Sequence, residues 1–139
     1  MAAVVVAAGL AAGIGLLARR RRPFRVEIRG QSMAPLLSTG DEALAVAIDA
    51  PAVGDVVVLE HPTRPGLELV KRITAGPGDL GSDARVLGPG EWWVEGDDPV
   101  RSTDSRHLGP ARTDRIRARV VLVVWPPSRL CVVSRRFRA

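Results

Sequence analysis

Glycine and proline interrupt this chain so often that long elements have no room. The 139 residues include 14 glycines and 11 prolines, so turns must be frequent and the elements between them short. The intervening runs are rich in valine, and such runs favour strands. Phe24, Val26 and Ile28 alternate with Arg25, Glu27 and Arg29, which predicts an amphipathic strand ending at Gly30. Residues 31–40 read as a loop or short helical turn. Further strands are predicted at 42–48, at 56–60, around Lys71, at 92–95 and at 116–125, with a short addition at 85–87. Residues 96–110 read as a long polar loop. Aromatic residues make up only 4% of the chain, so the core must be aliphatic. Many short strands with no long helix beyond residue 22 predict a compact, mainly β domain of barrel or sandwich type. The length suffices for one such domain with a modest core.

The net charge of +5 comes entirely from arginine. Arginines cluster at 19–29 and 129–138, and the first cluster follows an uncharged apolar run at 3–18. As a helix that run would span about 24 Å against a hydrocarbon core of roughly 30 Å. Basic flanks beside an apolar segment point to a membrane surface. The aromatic platforms of a single-strand nucleic-acid binder are missing, and no nucleic acid is expected. A cleaved signal peptide carries its positive charge before the apolar run. Here the charge comes after it, so a retained N-terminal anchor helix is expected. Positive flanks stay in the cytoplasm, which predicts the main domain on that side. The expected division is anchor and basic flank at 1–22, β domain at 23–127 and basic tail at 128–139. Cys131 is the only cysteine, which excludes an internal disulfide and a cysteine metal cluster; it reads as a small buried hydrophobe.

Lys71 is the only lysine among twenty basic residues. If its segment is a strand, Leu67, Leu69, Lys71 and Ile73 share one face, and Glu68, Arg72 and Thr74 the other. An ammonium on an apolar face is costly, and lysine can shed its proton where arginine cannot. One reading is therefore a desolvated amine acting as a general base. The other is a strand-edge lysine with a buried stem and its charge in water. This segment alone leaves both open.

Ser32 follows the first strand beside Gly30, where a hydroxyl and a backbone N–H can face a cleft; most serines so placed only shape a turn. A Ser–His–Asp arrangement would need His61 or His107, neither in a recognisable motif, and both read as surface histidines. Asp97, Asp98 and Asp104 do not match a calcium loop, so no metal or other cofactor is expected. A Ser–Lys dyad needs one hydroxyl and one lysine that can be neutral, and Lys71 fits that role.

Three segments carry a specific resemblance. Ser32-Met33-Ala34-Pro35-Leu36-Leu37, Lys71-Arg72-Ile73, and the run 96–109 that opens Gly96-Asp97-Asp98 and continues through Ser102, Asp104 and Arg106, resemble in order the conserved boxes of the type I signal peptidases. The resemblance implies an antiparallel signal-peptidase or LexA-like β fold and a serine endopeptidase with Ser32 as nucleophile and Lys71 as general base. It further implies that Ser102 hydrogen-bonds the lysine amine and that Asp104 and Arg106 form a bracing ion pair. Met33 and Pro35 would border a groove that takes a precursor protein as an extended strand. Gly30 stands where some members carry a second oxyanion hydroxyl, and Asp98 replaces the usual asparagine. The compact length, Trp92-Trp93 and the arginines after the apolar run resemble most the branch that matures nickel-type superoxide dismutase by removing an N-terminal propeptide. The rival expectations are a general signal peptidase with an exported domain, a LexA-like self-cleaving switch, and an inactive basic β domain that binds membrane or acidic partners.

Overall fold

The computed structural model describes residues 22–135. The anchor expected at 3–18 lies outside them. Among the described residues no helix is long and apolar enough to cross a membrane.

Eight strands form one sheet: β1 (Phe24–Glu27), β2 (Glu42–Ala47), β3 (Val56–Glu60), β4 (Glu68–Ala75), β5 (Glu91–Glu95), β6 (Ala111–Arg112), β7 (Ile116–Trp125) and β8 (Cys131–Val132). Their order is β1-β2-β7-β3-β4-β5-β6, with β8 paired to β7. Every pairing is antiparallel. The mainly β antiparallel reading therefore holds. β3 and β7 appear with the predicted bounds: β3 is an apolar run closed by a turn, and β7 alternates Arg117 and Arg119 with apolar residues before a valine-rich run that Pro126 stops. The 96–110 segment is more ordered than the polar loop expected. It holds a 3-10 turn at Pro99–Arg101 and a one-turn helix α1 (Ser105–Leu108). In place of a strand at 85–87 there is a single bridge between Leu80 and Val86.

β3 explains how so small a chain makes two cores. Val56 to Leu59 are all at most 2% exposed. Alternation sends Val56 and Val58 to one side and Val57 and Leu59 to the other. The first side packs with Ile28, Met33, Leu37, Ala43, Ala45, Ala118, Val120 and Val123. The second packs with Ile73, Val94 and Ile116, with Leu69 and Trp92 at its margin. A small third cluster joins Ala75, Leu87 and Trp93.

Four expectations are corrected here. Leu67 precedes β4 and is exposed, because it turns the β3–β4 hairpin. Cys131 is exposed rather than buried, since β8 is a two-residue edge strand. His61 is buried, its Nδ1 accepting from the Thr63 N–H. The segment read as a separate basic tail is part of the domain through residue 135: β8 pairs with β7, and Val133 packs on the first core.

Candidate active site

Lys71 faces the second core. It lies opposite Val57 in the β3–β4 ladder and is only 4% exposed, so the strand-edge reading with its ammonium in water is excluded. Among the described residues no carboxylate comes within ion-pair distance of its amine. Burial lowers its pKa from the ordinary 10.5; the negative charge of Asp104 partly opposes the shift and the positive charge of Arg106 adds to it. The amine therefore favours its neutral form more than a lysine in water.

Arg72, next along β4, points the other way and is buried too. Its Nε and Nη2 make a fork onto the two carboxylate oxygens of Asp97, each at 2.9 Å. Its Nη1 donates to the carbonyls of Gly54 and Ser134, each at 3.0 Å. Arg72 and Asp97 both lie inside the motifs, but no feature of the sequence marks them as partners. A bidentate arginine–carboxylate pair is strong and directional, and this one locks the lysine strand to the start of the 96–109 segment.

Ser32 lies on the turn after β1. Met33 and Leu37 are buried beneath it, and the Leu37 N–H donates to the Met33 carbonyl at 2.9 Å. Met33 is 2% exposed within the first core, so the expectation that it borders a substrate groove is corrected: its side chain anchors the turn from below. Pro35 is exposed on the same turn. The Ser32 carbonyl accepts from the Asp98 N–H at 2.9 Å, which places the serine turn against the third motif. No hydrogen bond joins Ser32 to Lys71 in this structure; such catalytic contacts commonly tighten only with substrate bound.

The third motif is organised by Asp104, whose side chain is fully buried. Its Oδ2 accepts from Ser102 Oγ at 2.6 Å, from Arg106 Nη2 at 2.7 Å and from the Gly96 N–H at 2.9 Å. Its Oδ1 accepts from Arg106 Nε at 2.9 Å. Asp104 also caps α1, and His107 Nδ1 closes the capping box. Desolvation pushes the Asp104 carboxyl up, but bonds from Arg106, from Ser102 and from the Gly96 and Arg106 N–H groups outweigh it and hold the pKa well below the usual range. Ser102 thus donates to Asp104, and no hydrogen bond joins it to the lysine amine in this structure. His107, exposed and used in a cap, belongs to no triad. The Ser105 hydroxyl accepts from the Val94 N–H and fastens the segment to β5.

Comparison with known proteins decides the family. Residues 1–80 match the family model described as signal peptidase, peptidase S26. The chain belongs to the peptidase S26 signal peptidases. The S26 match takes in Ser32 and Lys71 and ends before Gly96. Its curated relatives include the mitochondrial ATP-independent inner membrane protease subunit 1a of Arabidopsis thaliana, 37% identical over 116 positions, covering 72% of this chain and 69% of the relative. The mitochondrial inner membrane protease subunit 1 of Schizosaccharomyces pombe is 35% identical over 119 positions, covering 74% of each. Subunit 2 from Saccharomyces cerevisiae is 30% identical over 122 positions, covering 74% of this chain and 68% of the relative.

Proposed function

We propose that this S26 protein is a serine endopeptidase whose nucleophile is Ser32 and whose general base is Lys71. The observation that carries the reading is the burial of the lone lysine on an apolar face, without a carboxylate partner among the described residues. In the proposed reaction neutral Lys71 Nζ takes the Ser32 hydroxyl proton as Oγ attacks the scissile carbonyl. The Ser32 N–H faces the developing oxyanion. Collapse of the tetrahedral intermediate breaks the C–N bond, and the lysine ammonium returns its proton to the leaving amine. A water, deprotonated by the same amine, then frees the acyl group and restores Ser32. Asp104, Arg106 and Ser102 hold the loop that packs against both catalytic segments.

The substrate class is a precursor protein bound as an extended strand and trimmed of its N-terminal extension. Membrane association is supported by the names of the relatives, which are inner membrane proteases. The finer reading takes the nickel superoxide dismutase precursor as substrate and the cytoplasmic face as the site of action; it rests on the sequence resemblance. The test is cleavage of that precursor beside a standard secretory signal peptide. Ser32→Ala and Lys71→Ala should each abolish cleavage with the fold intact, and a fully active Lys71→Arg would refute the general-base role. Cleavage of the signal peptide alone would replace the dismutase reading with a general signal peptidase. A reporter fused to the C-terminus and found exported would reverse the sidedness.

A further inference from the structure

The last described segment reaches back to both halves of the candidate site. After β7 the chain makes a 3-10 turn at Pro127–Arg129 and runs through β8 to Arg135. Arg129 Nε bonds both carboxylate oxygens of Asp41, at 2.8 and 3.0 Å. Its Nη2 donates to the carbonyls of Pro35 at 3.0 Å and Leu36 at 3.3 Å. Asp41 is 2% exposed and also accepts from the Ser38 N–H at 2.9 Å. One guanidinium therefore ties the middle of the Ser32 turn to the residue at its end. Farther on, the Ser134 carbonyl accepts from Arg72, the neighbour of Lys71. Arg135 Nε reaches Asp55 at 2.6 Å, and its carbonyl crosses so close to Gly54 that a β-carbon there would collide with it.

We propose that Arg129 is a positioning residue for the nucleophile turn, and that the 127–135 segment is a strap holding the serine and lysine segments in register. This rests on the assignment of Ser32 and Lys71 above. The supports of the Ser32 turn include Met33 and Leu37 below it, the Asp98 N–H on the Ser32 carbonyl, and Arg129 on the carbonyls of Pro35 and Leu36. The last comes from far along the chain, outside the motifs of the family resemblance. Three acceptor groups spread over two directions require the planar fork of arginine; a lysine ammonium can answer Asp41 but not also the two carbonyls.

The test uses the full chain. Arg129→Lys keeps a cation beside Asp41 and should fold. Its kcat is expected to fall roughly tenfold with KM within about twofold, because misplacing a reacting group by a fraction of an ångström acts on the chemical step. Amide exchange should quicken at residues 33–37 and stay unchanged in β3. In Arg129→Ala, added ethylguanidinium should restore part of the lost kcat. Arg25→Gln, which removes an exposed pair with Glu42, serves as a control with unaltered kinetics. Unchanged kcat in Arg129→Lys, unchanged exchange at 33–37, or no rescue by ethylguanidinium would each overturn the proposal. Exchange needs no turnover, so a failure of the strap is told apart from a failure of the Ser–Lys assignment, which would show as an active Ser32→Ala protein.

Discussion

A β-carbon on Gly96 would lie 2.5 Å from the carbonyl oxygen of Ser32. It would also overlap the hydroxyl of Ser102. The serine turn and the Ser102 loop thus meet with only a glycine between them, and a backbone carbonyl cannot swing aside as a side chain can. Gly96→Ala should therefore push the two apart. The expected cost is about 1–3 kcal/mol of stability, typical of overpacking, with kcat/KM down by roughly 100-fold from misplacement of the nucleophile. Urea denaturation and peptide cleavage measured on the same preparation check both.

Activity should rise with pH along a limb set by Lys71. Burial holds its pKa below 10.5, and only the neutral amine can take the serine proton. The limb should accordingly fall at lower pH than for a lysine in water. Stability carries the same sign. The unfolded lysine binds its proton more readily than the folded one, so Lys71 contributes least to stability at low pH and progressively more as pH rises toward 10.5. Lys71→Met should therefore stabilise the fold near neutrality, and the gain should shrink at alkaline pH. A gain independent of pH would contradict the buried, easily deprotonated amine.

Asp104 runs in the opposite sense. Its carboxyl is held ionised by Arg106, Ser102 and two backbone N–H groups. Its contribution is complete above the ordinary carboxylate range and is lost as pH falls through its lowered folded value. Asp104→Asn should cost about 2–3 kcal/mol, less than the ~3–5 kcal/mol of a fully buried pair because Arg106 remains partly in water. The wild-type excess over the variant should shrink below pH ~4, where the unfolded carboxyl begins to bind its proton. Acid titration of both proteins followed by circular dichroism measures it.

Met33 distinguishes an anchor from a groove residue. At 2% exposure, its truncation to alanine should cost about 2–5 kcal/mol through lost burial and a cavity. Met33→Leu, which nearly conserves volume, should cost less than about 1.5 kcal/mol. Neither should change the side-chain preference of cleavage, read from a peptide library.

Much of the fold was legible because the strands carry period-two patterns bounded by glycine and proline. Ile116–Trp125 opens with Arg117 and Arg119 alternating with apolar residues, continues as a valine-rich run and is stopped by Pro126, and no longer-range information is needed to place it. β6 and β8 have two residues each; so short a run has no periodicity, and only the neighbouring strand makes it a strand. Lys71 was placed on its apolar face by alternation alone. Its depth was not legible, because it depends on Val57 and Val94 arriving from other strands. The bond from Ser102 to Asp104 was not legible for a related reason. The motif names the residues, but which of two nearby partners receives a hydroxyl proton is decided by tertiary geometry. Arg129 carried no signal at all, since one arginine in a basic stretch looks like any other until Asp41 is found beneath it.

The position of β7 bears on how the protein is made. It lies between β2 and β3, although 55 residues separate Glu60 from Ile116 in the chain (116 minus 60 minus 1). On the ribosome the segments bearing Ser32 and Lys71 emerge within two blocks, β1-β2 and β3-β4-β5-β6, with no seam between them. The seam arrives after both, with only β8 to follow. A chain released early would carry both candidate catalytic side chains and still lack the strand that brings their halves together, so premature products would be inert rather than unregulated proteases.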